Sequence, residues 1–415
     1  MDYFNYKENI LHAEDVAIPD IAKLVGTPFY LYSASTFIRH YKVMSDALKL
    51  NKKLICFAVK ANSNISILKL LAEQGAGADV VSQGEIFRAL KAGVQSSKIV
   101  FSGVGKTSTE IAYALEKGIF QFNAESCEEI EQINQIAQEM NMIAPVAIRV
   151  NPNVGAGGNE KISTGKKGDK FGIDLDMAEE AVKLASKAKH VNFKGLSVHI
   201  GSQINNLSAF AAAFRKLFEF IQKLEEANYA LTTIDLGGGV GVPYGDNETI
   251  EPVKYGELIN QLVEEFKLED KKFIFEPGRM IAANAGILIG SVNFIKKTKA
   301  KEFAIIDVGM NDLMRTALYD AKHQFVPVIK HSKGQKLYDF VGPVCETTDV
   351  FHKDLQFQLL ESEDLIAIRS AGAYGAVMAN EYNTRPLIPE VLVTGSDYNV
   401  IRRRPDYNEM ISLEL

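Results

Sequence analysis

The sequence lacks a basic excess: 46 lysines and arginines stand against 52 acidic residues, a formal charge of −6. A face that neutralises nucleic-acid phosphates leaves a net basic protein, so no nucleic-acid partner is expected. Cysteine is scarce. Cys56, Cys127 and Cys345 show no metal-type spacing and form an odd set, which fits reduced thiols and argues against zinc or any other metal site. The opening MDYFNYKENILHAEDVAIPD has no basic segment followed by an apolar run and a small-residue cleavage site, so no signal peptide is expected and the cytoplasm is the expected compartment. No repeat, low-complexity tract or long linker breaks the chain, and no Gly-Lys-Ser/Thr P-loop is present. With 47% hydrophobic and 24% charged residues, neither a disordered chain nor a membrane protein is indicated. A small-molecule substrate is the class that remains.

At 415 residues the chain is too long for one ordinary core, and two domains are expected. From Lys53 to Phe275, short apolar β-branched runs alternate with amphipathic helical patterns. The runs are KLICFAVKA, ADVVS, KIVFSG, FQFNAES, PVAIRVNP, GLSVHIGSQ, TIDLGGG and FIFEPGR, and the intervening helices stop at glycines such as Gly75, Gly93 and Gly118. That order predicts an α/β fold built on a parallel (β/α)8 barrel over residues 33–280. After Gly278 the runs GILIGSVNFIKKT, KEFAIIDVG, KLYDFVGPV, DLIAIRSAGAY and PEVLVTG follow one another through turns. They predict a mainly antiparallel β domain, a sandwich or small barrel, formed by residues 281–415 together with 1–32, where FYLYS supplies a further strand. FHKDLQFQ is more polar than a strand at that place should be.

Barrel chemistry gathers at the C-terminal ends of the strands. The polar residues closing the runs are Lys60, Asp79, Arg149, His199, Gly237 to Gly239, Glu276 and Arg279. Lys60 follows an uncharged run, Leu54 to Val59, and reads as the last residue of a buried strand. It is either a snorkelling lysine on the barrel rim or a Schiff-base lysine, whose amine becomes a nucleophile once desolvation removes its proton. The second reading needs a phosphate site, and the triple glycine of IDLGGGVG allows backbone N–H groups to approach an anion. Its surroundings do not match a dinucleotide fingerprint, because no acidic residue caps a second Rossmann strand. Glu276 in FIFEPGR is either one half of a turn ion pair or the carboxylate that keeps a pyridine nitrogen protonated. His199 in SVHIGSQ is either a satisfied core histidine or an imidazole stacked on a flat ring, with Ser202 reaching toward phosphate.

Taken together, FAVKAN, RVNP, HIGSQ, DLGGG, EPGR, MRTALYDAKH, GPVCETTD and GAYG resemble the pyridoxal-phosphate-dependent decarboxylases of the alanine-racemase-like fold (fold type III), most closely those acting on meso-diaminopimelate. The motifs run in family order from near residue 28 to near residue 395. The resemblance implies a carboxy-lyase that converts meso-2,6-diaminopimelate to L-lysine and carbon dioxide, the last step of lysine biosynthesis. It implies Lys60, Cys345, His199 and Glu276 as catalytic residues. The implied cofactor set is Lys60, Asp79, Arg149, His199, Ser202, Gly237, Gly238, Gly239, Glu276, Pro277, Gly278, Arg279 and Tyr374. Arg279, Arg315, Tyr319, Glu346 and Tyr374 are the implied substrate binders. It further implies a homodimer in which Cys345, as proton donor, and Glu346, holding the distal ammonium, reach the active site of the other subunit.

The alternatives are decarboxylases of the same fold acting on ornithine, arginine or carboxynorspermidine, a racemase, and a non-catalytic homologue. A distal end carrying both charges needs a carboxylate and cations together, which Glu346 with Arg315 and Tyr319 supplies. Racemases of this fold lack a Cys-Glu segment of this kind, and a non-catalytic homologue would be expected to lose Lys60, Cys345 or the EPGR turn. The roles of Tyr382 and Arg385, in NEYNTRP, stay open at this level.

Overall fold

The computed structural model describes residues 2–155, 168–245 and 248–414. It divides into two compact units: Met1–Arg39 with Pro243–Asn247 and Ile281–Leu415, and His40–Val242 with Glu248–Met280.

The second unit is a closed parallel barrel. Its nine-stranded sheet includes the two-residue strand Ile173–Asp174 as an appendage on Ala144–Asn151. The other strands close on themselves, with Lys53–Ala58, Gly77–Val80, Ile99–Phe101, Gln121–Ala124, Ala144–Asn151, Val191–Ser197, Thr233–Asp235 and Lys272–Phe275 paired in parallel around the ring. These are the runs read from the sequence. Helix starts are fixed locally, since Ser82, Ser126 and Asn64 each accept a backbone N–H of the following turn, and Thr107 with Glu110 completes a capping box. Gly118 ends its helix in the left-handed conformation, which a residue with a Cβ adopts at a cost.

One sequence expectation shifts by a few atoms with a chemical consequence. Lys60 does not end the strand, which stops at Ala58; it lies in a single 3₁₀ turn, Val59–Ala61. The turn lifts its side chain out of the sheet's alternation and over the barrel mouth.

The first unit is built on the strand Gly286–Lys297. Its first half pairs antiparallel with Phe29–Ser33 on one side and Leu365–Ile368 on the other, and its second half with Glu302–Ile306, with a register shift between Val292 and Phe294 where the strand changes partners. Pairing is antiparallel except at two places, Glu302–Ile306 with Gln335–Val341 and Phe29–Ser33 with Glu390–Thr394. Phe4, Leu11, Ile18, Phe29, Leu31, Ile287, Ile289 and Val391 form its buried core. The polar segment FHKDLQFQ is a strand after all, within Val350–Gln358; only Phe351 and Phe357 are buried, so the charged side chains lie on an open face. Among the described residues no helix is long and apolar enough to cross a membrane.

Candidate active site

The register of the first two barrel strands sets the central contact. Ala58 pairs with Asp79, so the turn that carries Lys60 begins at the height of that carboxylate. Lys60 Nζ donates to Asp79 Oδ2 at 2.6 Å. The Asp79 side chain is fully buried, whereas that of Lys60 is 37% exposed, so the ammonium faces the mouth from a fixed anion. Asp79 Oδ1 is buried and makes no hydrogen bond. A buried carboxylate with one oxygen unsatisfied depends on its cation partner, and the pair is held together by that dependence.

Across the mouth, Glu276 follows the strand Lys272–Phe275 and is buried. Its Oε1 accepts from Asn123 Nδ2 (3.2 Å) and Ser102 Oγ (3.3 Å). Burial first, then the charges of Asp235 and Asp79, push the Glu276 carboxyl well above the usual carboxylate range; Lys60 pulls the other way. His199 Nδ1 accepts the Gly238 N–H at 3.2 Å, which leaves the imidazole proton on Nε2. Burial, reinforced by Arg149 and Lys60, holds its pKa well below the ordinary histidine value, so the ring is neutral. Arg149 donates to Glu125 at 2.8 Å and lies over the Phe171 ring, 4.9 Å from its centroid. Arg279 reaches Ser202 Oγ through Nε (3.3 Å) and Nη2 (3.1 Å).

The glycine triplet is packed against its neighbours. A Cβ on Gly238 would lie 2.2 Å from the Glu276 carbonyl, and one on Gly239 2.4 Å from that of Gly201. The Gly237 N–H is engaged by Asp235 Oδ1 (2.9 Å) and that of Gly238 by His199. Two of the three N–H groups thus hold a carboxylate and an imidazole in place.

A cavity of about 370 Å³ opens among these groups, lined by Lys60, Ser102, Asn123, Arg149, His199 and Glu276 with Gly103–Gly105 and Phe171. Its size suits a small cofactor, for which sites of about 300–1,000 Å³ are usual. Its donor set fits pyridoxal phosphate. An amine stands ready for an aldehyde, a carboxyl for a ring nitrogen, and a neutral imidazole and a guanidinium line the same walls. Behind Lys60, Glu85 Oε2 accepts the Val81 N–H at 2.8 Å, and burial, aided by Asp79, pushes its carboxyl up to about 7.

The remaining expected residues belong to the other unit. Arg315 and Tyr319 bound the short helix Arg315–Tyr319. Arg315 is buried, 4.6 Å over the Tyr244 ring, with Nη1 2.8 Å from His323 Nε2. Tyr374 has φ +56°, a left-handed conformation uncommon for a bulky residue. Cys345 and Glu346 are exposed in the single chain. They are braced by a neighbouring segment: Tyr382 Oη donates to Glu346 Oε1 (2.5 Å), and the Cys345 N–H donates to Asn383 Oδ1 (2.8 Å). Arg385 donates to the Asp307 carbonyl at 2.9 Å, a structural bond. Asp235, Asn123, Ser102, Glu125 and Asn383 are additions that the sequence reading missed. Only Asp235 carried a local signal, a carboxylate inside the apolar run TIDL.

A closed parallel barrel with a lysine ion-paired at its mouth, facing a buried carboxyl and a neutral imidazole, defines a pyridoxal-phosphate enzyme, and residues 34–283 match the family model for the pyridoxal-binding domain of pyridoxal-dependent decarboxylases. The chain belongs to the diaminopimelate decarboxylase family. It is 45% identical to the diaminopimelate decarboxylase of Haemophilus influenzae over 100% of this chain and 99% of that one. The diaminopimelate decarboxylase of Helicobacter pylori complexed with L-lysine superposes with a TM-score of 0.92 at 41% identity, covering 96% of this chain and 99% of that one. The M. jannaschii enzyme in complex with L-lysine gives 0.95 at 36% identity, covering 100% and 98%.

The raised Glu85 carboxyl has a testable sign. The folded state keeps its proton up to about pH 7 while the unfolded chain releases it near 4.5, so stability falls as pH rises through that window. Glu85→Gln can keep the bond to Val81 without the charge. It should raise the thermal midpoint at about pH 8 and change it little at about pH 5, read by calorimetric scans; an equal effect at both values would contradict the assignment.

Proposed function

We propose that the protein decarboxylates meso-diaminopimelate to L-lysine and carbon dioxide, the last step of lysine biosynthesis, with pyridoxal phosphate as its cofactor. The observation that carries this reading is the Lys60–Asp79 pair facing Glu276 and His199 around one cavity. When bound, pyridoxal phosphate supplies a protonated pyridine ring that accepts the electron pair left by the departing carboxylate.

The chain's own residues do the rest. Lys60 is the amine that holds the cofactor's aldehyde, and Asp79 orients it. Glu276 serves the ring nitrogen, and the neutral His199 packs on the ring without adding charge. Arg149, Ser202, Gly237 to Gly239, the turn Pro277–Gly278–Arg279 and Tyr374 complete the proposed cofactor set. Arg279, Arg315 and Tyr319 are assigned to substrate carboxylates, Tyr374 also to substrate contact, and Glu346 to the distal ammonium. Cys345 returns a proton to Cα.

A proton donor must be shielded from bulk water, and Cys345 is exposed in one chain. That supports a homodimer in which Cys345 and Glu346 serve the other subunit's barrel. The proposed division is a pyridoxal-phosphate barrel of residues 33–280 and a β domain of 1–32 with 281–415. Unpaired thiols at Cys56, Cys127 and Cys345 suit the cytoplasm.

The deciding measurement is carbon dioxide release from meso-diaminopimelate, ornithine, arginine and carboxynorspermidine, each offered separately. Release from meso-diaminopimelate alone, with L-lysine formed, is expected; release mainly from one of the others would reassign the distal pocket. Lys60→Ala should lose both the yellow colour of the bound cofactor and turnover while keeping its far-ultraviolet dichroism. A colourless but fully active variant would sink the role of Lys60. Tyr382→Phe removes the hydroxyl that holds Glu346. KM for diaminopimelate should rise a few-fold, with cofactor colour unchanged, since the contact is solvent-exposed in one chain. An unaltered KM would show that Glu346 does not depend on this contact.

A further inference from the structure

Inside the barrel, a line of hydrogen bonds ends on Glu276 and includes no residue expected from the sequence. Thr233 Oγ1 donates to Gln121 Oε1 (3.1 Å), and Gln121 Nε2 donates to Asn123 Oδ1 (2.9 Å). Asn123 Nδ2 then bridges two acids, 2.9 Å from Asp235 Oδ2 and 3.2 Å from Glu276 Oε1. Thr233, Gln121, Asn123 and Asp235 are all buried. The orientation of the chain is imposed by its end, because only the NH2 side of an amide can face two carboxyl groups. Asn123 must therefore turn its oxygen to Gln121, and Gln121 its oxygen to Thr233.

Asp235 and Glu276 thus meet at one amide nitrogen, and Asp235 Oδ1 takes the Gly237 N–H. Two carboxyl groups held on one amide in a dry interior cannot both ionise, so the pair keeps one proton. The surrounding groups do not relieve the pair. Lys60 faces it but is bound to Asp79, itself an acid. Cys56 on Lys53–Ala58 and Tyr255 on Pro252–Phe266 are kept neutral by burial. Gln121–Ala124 brings only amides.

We propose that Asp235, clamped by Asn123, is a positioning residue that shares one proton with Glu276, so that the cofactor-free protein already holds the proton the pyridine nitrogen needs. With pyridoxal phosphate bound, Glu276 would pair with the ring nitrogen through one proton between them, and none would be drawn from solvent. The inference rests on the pyridoxal-phosphate reading above.

The test counts protons rather than turnover. Cofactor-free full-length protein is titrated with pyridoxal phosphate by calorimetry in buffers of different ionisation enthalpy. Asp235→Asn removes the acid whose charge, after burial, does most to keep Glu276 neutral, so Glu276 ionises more readily beforehand and should take up more proton than wild type on binding, up to one. Asn123→Ala keeps both acids and should keep the wild-type count with weaker binding. Equal counts in wild type and Asp235→Asn would overturn the proposal, and failure of the wild type to bind pyridoxal phosphate would overturn the cofactor reading with it. Infrared spectra of the cofactor-free proteins report on the pair alone, even if Asp235→Asn no longer binds cofactor. A protonated carboxyl band present in wild type and lost in both Asp235→Asn and Glu276→Gln is expected; a band that survives Asp235→Asn would refute proton sharing.

Discussion

Closing the barrel draws Asp79, Asp235 and Glu276 into one buried region, and the means by which their charge is balanced set the rest of the site. A carboxylate without water needs a cation, a donor or a proton. All three are used here. Asp79 takes the Lys60 ammonium, Asp235 takes the Gly237 N–H and the Asn123 amide, and Glu276 is pushed toward its neutral form. Removing one solution would press on the other two, because the Asp79 and Asp235 charges both raise Glu276.

His199 belongs to the same balance. A charged imidazole here would add a cation beside Arg149 and Lys60, and burial together with those two keeps it neutral. The Gly238 N–H on Nδ1 fixes the ring's plane and tautomer. The glycine triplet therefore does structural work as well as offering a close backbone: it holds an acid with one amide and an imidazole with the next. A Cβ at Gly237 would come within 2.5 Å of the Val198 carbonyl oxygen and 3.0 Å of His199 Nδ1, so only glycine fits beside the histidine.

The fold class and the family were legible in the sequence because both are written in order. Eight apolar runs closing on polar residues need no knowledge of side-chain placement, and motifs in sequence succession survive any error in element boundaries. What was not legible depended on register. Lys60 and Asp79 are 19 residues apart, and only the pairing of Ala58 with Asp79 shows that they meet. Asp235 and Asn123, 112 residues apart, are joined across the barrel interior, and neither neighbour sequence hints at the other. The strand Val350–Gln358 was obscured for another reason: its charged residues lie on an open face, so its apolar content fell below what a half-buried strand shows.

The two groups of candidate residues differ in how they are held. Those on the barrel are buried or half-buried and cross-linked through the strands, so their positions are set by the closed sheet itself. Cys345 and Glu346 are exposed and rest on a short irregular segment, where Asn383 and Thr384 both adopt left-handed backbone conformations. Residues with a Cβ hold that conformation only where surrounding contacts over-determine it. Asn380 supplies such contacts, donating its N–H to the Asn311 carbonyl and accepting the Tyr382 N–H on its side chain, while Arg385 ties the far end to Asp307. The segment fixes both residues locally, with the Tyr382 hydroxyl on the Glu346 side chain and the Asn383 side-chain oxygen on the Cys345 N–H.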